Sequence, residues 1–268
     1  MNTKLCNSYI TLSLCSALLD FMVIPQYTAI FPRERTVHIV LSVFAAYIVV
    51  LFIKNADINN SFFRYFILFT VASKSVYTTY IFLNYFKVYY AFGTTGFLVI
   101  LSAIIILAYR LEDKSMEQIY IFFIFSNVLL LIIIIVLSVN RLNVINIYSN
   151  DMNIRFSFYK MFVFFDIFTI AAITPKGKHR IKAQKKYINI TATAFVFITI
   201  LQGLSVKGNL MYSISPLQSL SQIFTGTTIR RFDYTITIFQ SINYFASIII
   251  YVFTIKKLTA KGGENEFE

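Results

Sequence analysis

The sequence predicts an all-α polytopic membrane protein with about eight transmembrane helices. Three observations predict it. Hydrophobic residues make up 57% of the 268 positions and charged residues only 13%, where a soluble domain is nearer a quarter charged. The apolar residues fall in long runs, each close to the roughly 20 residues that cross a hydrocarbon core as a helix. The basic residues collect between the runs, as they do in cytoplasmic loops.

The runs are read in order as spans. The first, 8–31, follows Lys4 and contains Pro25, a helix break. The second, 37–54, follows Arg33 and Arg35 and ends at Lys54. The third, 62–86, begins after the polar stretch "NADINNS" and stops before Lys87. The fourth, 89–109, ends at Arg110. The fifth, 118–139, carries the "LLLIIIIV" run after Lys114 and Glu117. The sixth, 157–174, stops where Pro175 cannot continue a helix. The seventh, 187–206, starts after a basic tract, and the eighth, 233–255, gives way to polar residues. Residues 1–256 thus form one integral membrane domain, with 257–268 as a hydrophilic cytoplasmic tail.

An even number of spans puts both termini on one side. The densest basic tract, Lys176, Lys178, Arg180, Lys182, Lys185 and Lys186, lies between spans six and seven. The positive-inside rule makes that tract cytoplasmic, and the N- and C-termini with it. The net charge of +12 is then a topology signal, and no nucleic-acid partner is expected. The lipid bilayer is the first partner, and the basic tract is a candidate contact for anionic lipid or another protein. Two segments are long on the outer side, 140–156 and 207–232. In the second, Leu217, Leu220 and Ile223 sit at helical spacing, as in an amphipathic helix lying on the membrane.

Three ionisable residues fall inside spans: Asp20 in the first, Lys74 in the third and Asp166 in the sixth. Each costs about 2.5–3.5 kcal/mol on insertion scales, so such residues face a bundle interior and pair. Ser13, Ser16 and Asp20 share one helical face, as do Lys74, Tyr77 and Thr78. The eighth span has a polar stripe at Gln240, Asn243 and Ser247. These residues are candidates to line a polar cavity in which a ligand binds or protons are relayed. The competing reading is a buried salt bridge that only fixes helix packing.

Nothing points to catalysis. His38 and His179 are far apart, and no H-E-x-x-H, G-x-S-x-G, P-loop or paired-cysteine spacing is present. Ser73 and Lys74 are neighbours on a helix and do not face each other. Cys6 and Cys15 fall at or inside the first span and imply no disulfide framework. The chain is therefore read as a non-enzyme with no cofactor and no metal.

The order of features over about 157–257 resembles the membrane-spanning B subunit of spore germinant receptors, a branch of the amino acid/polyamine/organocation transporter superfamily. "FVFFDIFTIAAITPKGKHRIKAQKK" follows that family's span, closing proline and basic loop, with Asp166 at a glutamate position and Pro175 at the proline. "FITILQGLSVKG" matches the next span and its glycine, "SISPLQSLSQIF" with Pro216 matches an outer segment, and Arg231-Phe232-Asp233 matches a motif that opens a span. In the first span "LLDFMVIPQ" keeps the family's proline as Pro25 but has Asp20 where a glycine is expected. Gln240 replaces an expected tryptophan.

The resemblance implies a LeuT-like fold of two inverted five-helix repeats, truncated here to five plus three. In that superfamily spans one and six are broken helices beside the substrate, flanked by spans three and eight. It implies a nutrient-sensing subunit that takes a small molecule, plausibly an amino acid, at midplane. Its partners would be a larger membrane subunit and a lipoprotein, in the inner spore membrane or the cell membrane. A proton-coupled amino-acid permease and a non-binding scaffold subunit are the alternatives.

Overall fold

The structure, a computed structural model, describes residues 3–23, 32–89, 94–138, 164–205 and 232–263. They form eight helices: α1 (Thr3–Val23), α2 (Pro32–Ile53), α3 (Ser61–Tyr89), α4 (Thr94–Arg110), α5 (Asp113–Ser138), α6 (Asp166–Ile173), α7 (Lys178–Ser205) and α8 (Phe232–Gly263). Each overlaps one of the apolar runs, in order. Pro25 and the segments 140–156 and 207–231 lie outside the described residues.

Local chemistry sets the helix ends. Pro32 opens α2, where its missing N–H costs nothing. Asn60 caps α3, its Oδ1 accepting from the Phe62 N–H at 3.0 Å. Asp57 makes the preceding turn by accepting from the Asn59 N–H. Asp113 lies in the first turn of α5, where the helix dipole favours an anion. Pro175 stops α6, and Gly177, at φ 106°, supplies the backbone that reverses the chain into α7. Ser and Thr hydroxyls inside the apolar helices turn back onto carbonyls four residues earlier, as Thr11, Thr70, Ser247 and Thr254 do. Such back-bonding satisfies a hydroxyl without water.

The central elements are α1 and α6. α1 packs against α3, α5, α6, α7 and α8, and α6 packs against α1, α2, α3, α7 and α8. Neither contributes a large hydrophobic side chain to the exposed surface among the described residues. The neighbour relations within two triplets have a symmetry. Exchanging α1 with α6, α2 with α7 and α3 with α8 turns each contact among these six helices, α6–α7 excepted, into another observed contact. The α1–α7 pair becomes α6–α2, α1–α3 becomes α6–α8, and α1–α8 becomes α6–α3, while α1–α6, α2–α7 and α3–α8 map onto themselves. Stacked rings reinforce two of the interfaces, Phe21 on Phe195 between α1 and α7, and Phe82 on Tyr244 between α3 and α8.

The exchanged helices run in opposite senses. Side-chain bonds collect the start of α1, the 54–60 turn, the 111–112 link, the 174–177 turn and the end of α8 at one end of the bundle. Lys186 donates to Asn7, Lys176 pairs with Asp57, and Lys257 pairs with Asp113. Lys256 donates to the carbonyls of Tyr109 and Leu111, beyond which α4 cannot satisfy them. α8 runs on to Gly263, so residues 257–263 of the hydrophilic tail are helical. Likewise α7 begins at Lys178. Most of the basic tract is therefore helix, and the link itself is only residues 174–177.

The outer faces are strongly apolar. Phe52, Phe62, Phe69 and Phe125 are 81%, 78%, 70% and 67% exposed. They belong to a set of exposed Phe, Ile, Leu and Val side chains on α2, α3, α4 and α5, and large exposed apolar patches mark membrane or protein contacts. Two segments, Asp113–Ile133 and Thr237–Ala260, are long and apolar enough to cross a membrane.

Candidate functional site

Asp20, Lys74 and Asp166 meet. Each is 0–2% exposed. The Lys74 Nζ is 2.8 Å from Asp20 Oδ2 and 3.5 Å from Asp166 Oδ2. Three helices bring them together. Asp20 comes from the last turn of the described part of α1, Lys74 from the middle of α3, and Asp166 from the first turn of α6. The α6 position has its own logic, because the unpaired N–H groups of a helix start favour a carboxylate. Phe165 precedes it without a side-chain cap.

The two carboxylates are held differently. Asp20 has the close ion pair and also accepts from the Thr78 hydroxyl at 3.3 Å. Asp166 stands further from the ammonium. The hydroxyls of Ser16, Tyr251 and Tyr187 face it, but neither of its oxygens completes a hydrogen bond of ordinary geometry. Ser16 and Tyr251 are instead hydrogen-bonded to each other. With all three groups ionised, the cluster holds two negative charges and one positive charge in a site closed to water.

The other polar residues divide. Tyr77 is half-buried on α3, and it is Thr78, one residue on, that reaches Asp20. Gln240 is buried on α8, and neither end of its amide has a hydrogen-bond partner among the described residues. Asn243 belongs to a second cluster. Its amide exchanges two hydrogen bonds with Asn127 of α5, at 2.8 and 3.1 Å, and Asn127 also donates to Cys15 Sγ.

Within the basic tract, Arg180 departs from the expectation of a solvent-facing topology charge. It is buried, and its guanidinium donates to the carbonyls of Thr174, Ile53 and Ala56, joining the α6–α7 turn to the end of α2. A charged five-donor fork suits several converging carbonyls, and a burial that would be costly for a lone charge becomes tolerable. Lys176, Lys178, Lys182, Lys185 and Lys186 are exposed.

Sequence reasoning missed Tyr251, Tyr187, Asn127 and Gln184. Tyr251 had a signal, since it lies one turn beyond Ser247 on the face that carries Gln240 and Asn243. Gln184 donates to the Ile167 carbonyl in the first turn of α6. Nothing in the basic tract distinguishes it, or Tyr187, from its neighbours. No group of three or more His, Cys, Asp or Glu side chains suited to a metal occurs among the described residues.

Compared with known proteins, the chain matches no family model, no curated protein and no solved structure. Chemically, the cluster can take up a proton or an ammonium group, either of which balances its excess negative charge.

Proposed function

We propose that the chain is a transporter-like membrane subunit in which the Asp20–Lys74–Asp166 cluster receives a proton or the ammonium group of a small nutrient. The observation that carries the reading is one lysine shared unequally by two buried carboxylates where α1, α3 and α6 converge, with Tyr251 of α8 alongside. Intramembrane charges of this kind mark substrate and ion paths. The exchange symmetry of the α1–α3 and α6–α8 triplets supports an inverted-repeat arrangement of five plus three spans. Such folds bind at the repeat interface. The exposed apolar faces support eight helices in lipid, with the end that carries the basic tract and both termini cytoplasmic.

The sealed cluster suits sensing better than turnover. A ligand ammonium entering beside Asp166 competes with Lys74 and loosens the α3–α6 contact. That differential interaction shifts a packing equilibrium between two states of the bundle. Partner subunits read the shift. On the resemblance of 157–257 to germinant receptor B subunits, those partners are a larger membrane subunit and a lipoprotein, and the ligand is an amino acid. The membrane is the inner spore membrane or the cell membrane.

The test is Asp166→Asn. The nutrient response disappears while the amount of protein in the membrane is unchanged. An unaltered dose–response sinks the site and leaves the cluster as packing alone. Substrate accumulation in proteoliposomes under a pH gradient would instead make the chain a proton-coupled permease.

A further inference from the structure

An open groove of about 760 Å³ runs between α1, α5 and α7. Its walls are apolar, with Leu14 and Leu18 from α1, Phe123 and Leu131 from α5, and Ala194 and Phe197 from α7. Along α1 it extends from Asn7 to Leu18, roughly 16 Å at 1.5 Å per residue. That is about half the thickness of a hydrocarbon core, the depth one acyl chain occupies.

One end of the groove is polar and basic. Asn7, Lys186 and Asn189 line it there, with Lys186 donating to Asn7 and Asn189 accepting from the Tyr47 hydroxyl. A second depression of about 560 Å³ adjoins it. The two share Lys186, Asn189 and Ile190, and the second adds Lys178, Lys182 and Lys185. Among the described residues no ion pair joins a carboxylate to these four lysines, and Asp57 and Asp113 pair with Lys176 and Lys257. This basic mouth is at the end of the bundle that gathers the start of α1 and the end of α8.

We infer that the groove holds one anionic phospholipid, with an acyl chain along α1 and the phosphate headgroup between Lys182, Lys185 and Lys186. The inference rests on the membrane reading above but not on the buried ion cluster. Charge complementarity selects the headgroup. Four unneutralised lysines favour a net negative group over a zwitterion, and a basic pocket between helices on the cytoplasmic side is a recurrent setting for such lipids. The apolar length selects a lipid over a free phosphate, which would leave the groove empty. The occupant would join α5 to α7, which touch each other little beside the contacts each makes with α1.

The experiment uses the full chain, purified in a neutral detergent. Native mass spectrometry counts bound lipid, and thermal melting follows added phosphatidylglycerol, phosphatidylcholine or inorganic phosphate. One phosphatidylglycerol per chain is retained, with at least tenfold preference over phosphatidylcholine, and inorganic phosphate has no effect. The exposed-site variant Lys182→Gln/Lys185→Gln loses that preference while keeping its melting temperature without lipid. Ala194→Phe fills the groove and weakens both lipids. Equal retention of the two lipids, an unchanged double variant, or displacement by inorganic phosphate overturns the site. A chain that fractionates with soluble protein overturns the membrane reading itself, and the lipid site with it. Loss of the nutrient response in Asp166→Asn bears only on the ion cluster.

Discussion

Lys74 and Asp166 face each other across the α3–α6 contact at 3.5 Å, while the same ammonium approaches Asp20 to 2.8 Å. The ion pair is therefore lopsided, and the lopsidedness predicts an order of mutational effects. Removing the lysine leaves two buried carboxylates with no counter-charge. Lys74→Met is expected to cost about 3–5 kcal/mol, the usual result of breaking a buried pair from one side. Neutralising all three groups together, as Lys74→Met/Asp20→Asn/Asp166→Asn, removes the uncompensated charge and restores folding. Thermal unfolding in detergent reads both variants. A single Lys74→Met that melts with the wild type would mean that the cluster is not closed as described.

The two aspartates are not equivalent. Asp166→Asn leaves Lys74 with its nearer partner and makes the cluster formally neutral. Asp20→Asn leaves the lysine with the more distant one. Asp20→Asn is expected to lower the melting temperature more than Asp166→Asn. The proposed nutrient response is expected to show the opposite order of sensitivity, because both oxygens of Asp166 lack a completed hydrogen bond, whereas Asp20 accepts one from Thr78. A matched loss of stability and response in both variants would argue for a purely structural cluster.

Arg180 joins the α6–α7 turn to the end of α2 through three backbone carbonyls. Its guanidinium reaches the Ala56 carbonyl at 2.6 Å and the Thr174 carbonyl at 3.1 and 3.2 Å from two nitrogens. Arg180→Ala strands these acceptors where water has little access, a loss of about 3 kcal/mol. Arg180→Lys recovers little of it, because a point charge cannot reproduce the fork. His179→Ala, one residue away and exposed, is the control and is expected to fall within about 0.5 kcal/mol of wild type. The measurement is again thermal melting. Equal melting of the Ala and Lys variants at Arg180 with that control would contradict the geometry.

How much of this was legible depends on the physics of each residue. The helices were legible because each is built on a long apolar run, and Phe52 or Phe125 reads the same alone as in the fold. The convergence of Asp20, Lys74 and Asp166 was legible as a need, since a charge inside an apolar run must find a partner. Which carboxylate lies closer was not legible, because it depends on the relative placement of α1 and α6. Arg180 was hidden for a different reason. It stands among lysines that do remain exposed, and only the turn at Gly177 aims it inward. Helical spacing aligns Asn243 with Gln240, but it cannot tell that Asn127 on another helix will claim the Asn243 amide.

The Asp57–Lys176 pair gives a prediction in pH. Asp57 lies in the exposed turn between α2 and α3, outside both helices. The hydrogen bond from Lys176, with help from the Asn59 N–H, holds its carboxyl below the usual carboxylate range. A carboxyl with a lower pKa in the folded than in the unfolded chain stabilises the folded state above its unfolded value, near pH 4. That contribution is lost as the pH falls through the lowered folded value. Wild type and Asp57→Asn are therefore expected to differ in melting temperature by a small, constant amount at neutral pH. The gap should close below about pH 4, and salt should narrow it at neutral pH, because both side chains are largely exposed. Melting curves from pH 7 to pH 3 at two ionic strengths measure this. A gap that widens on acidification would show that Asp57 stabilises the turn through its neutral form, and would rule out Lys176 as the group that holds the α2–α3 and α6–α7 turns together.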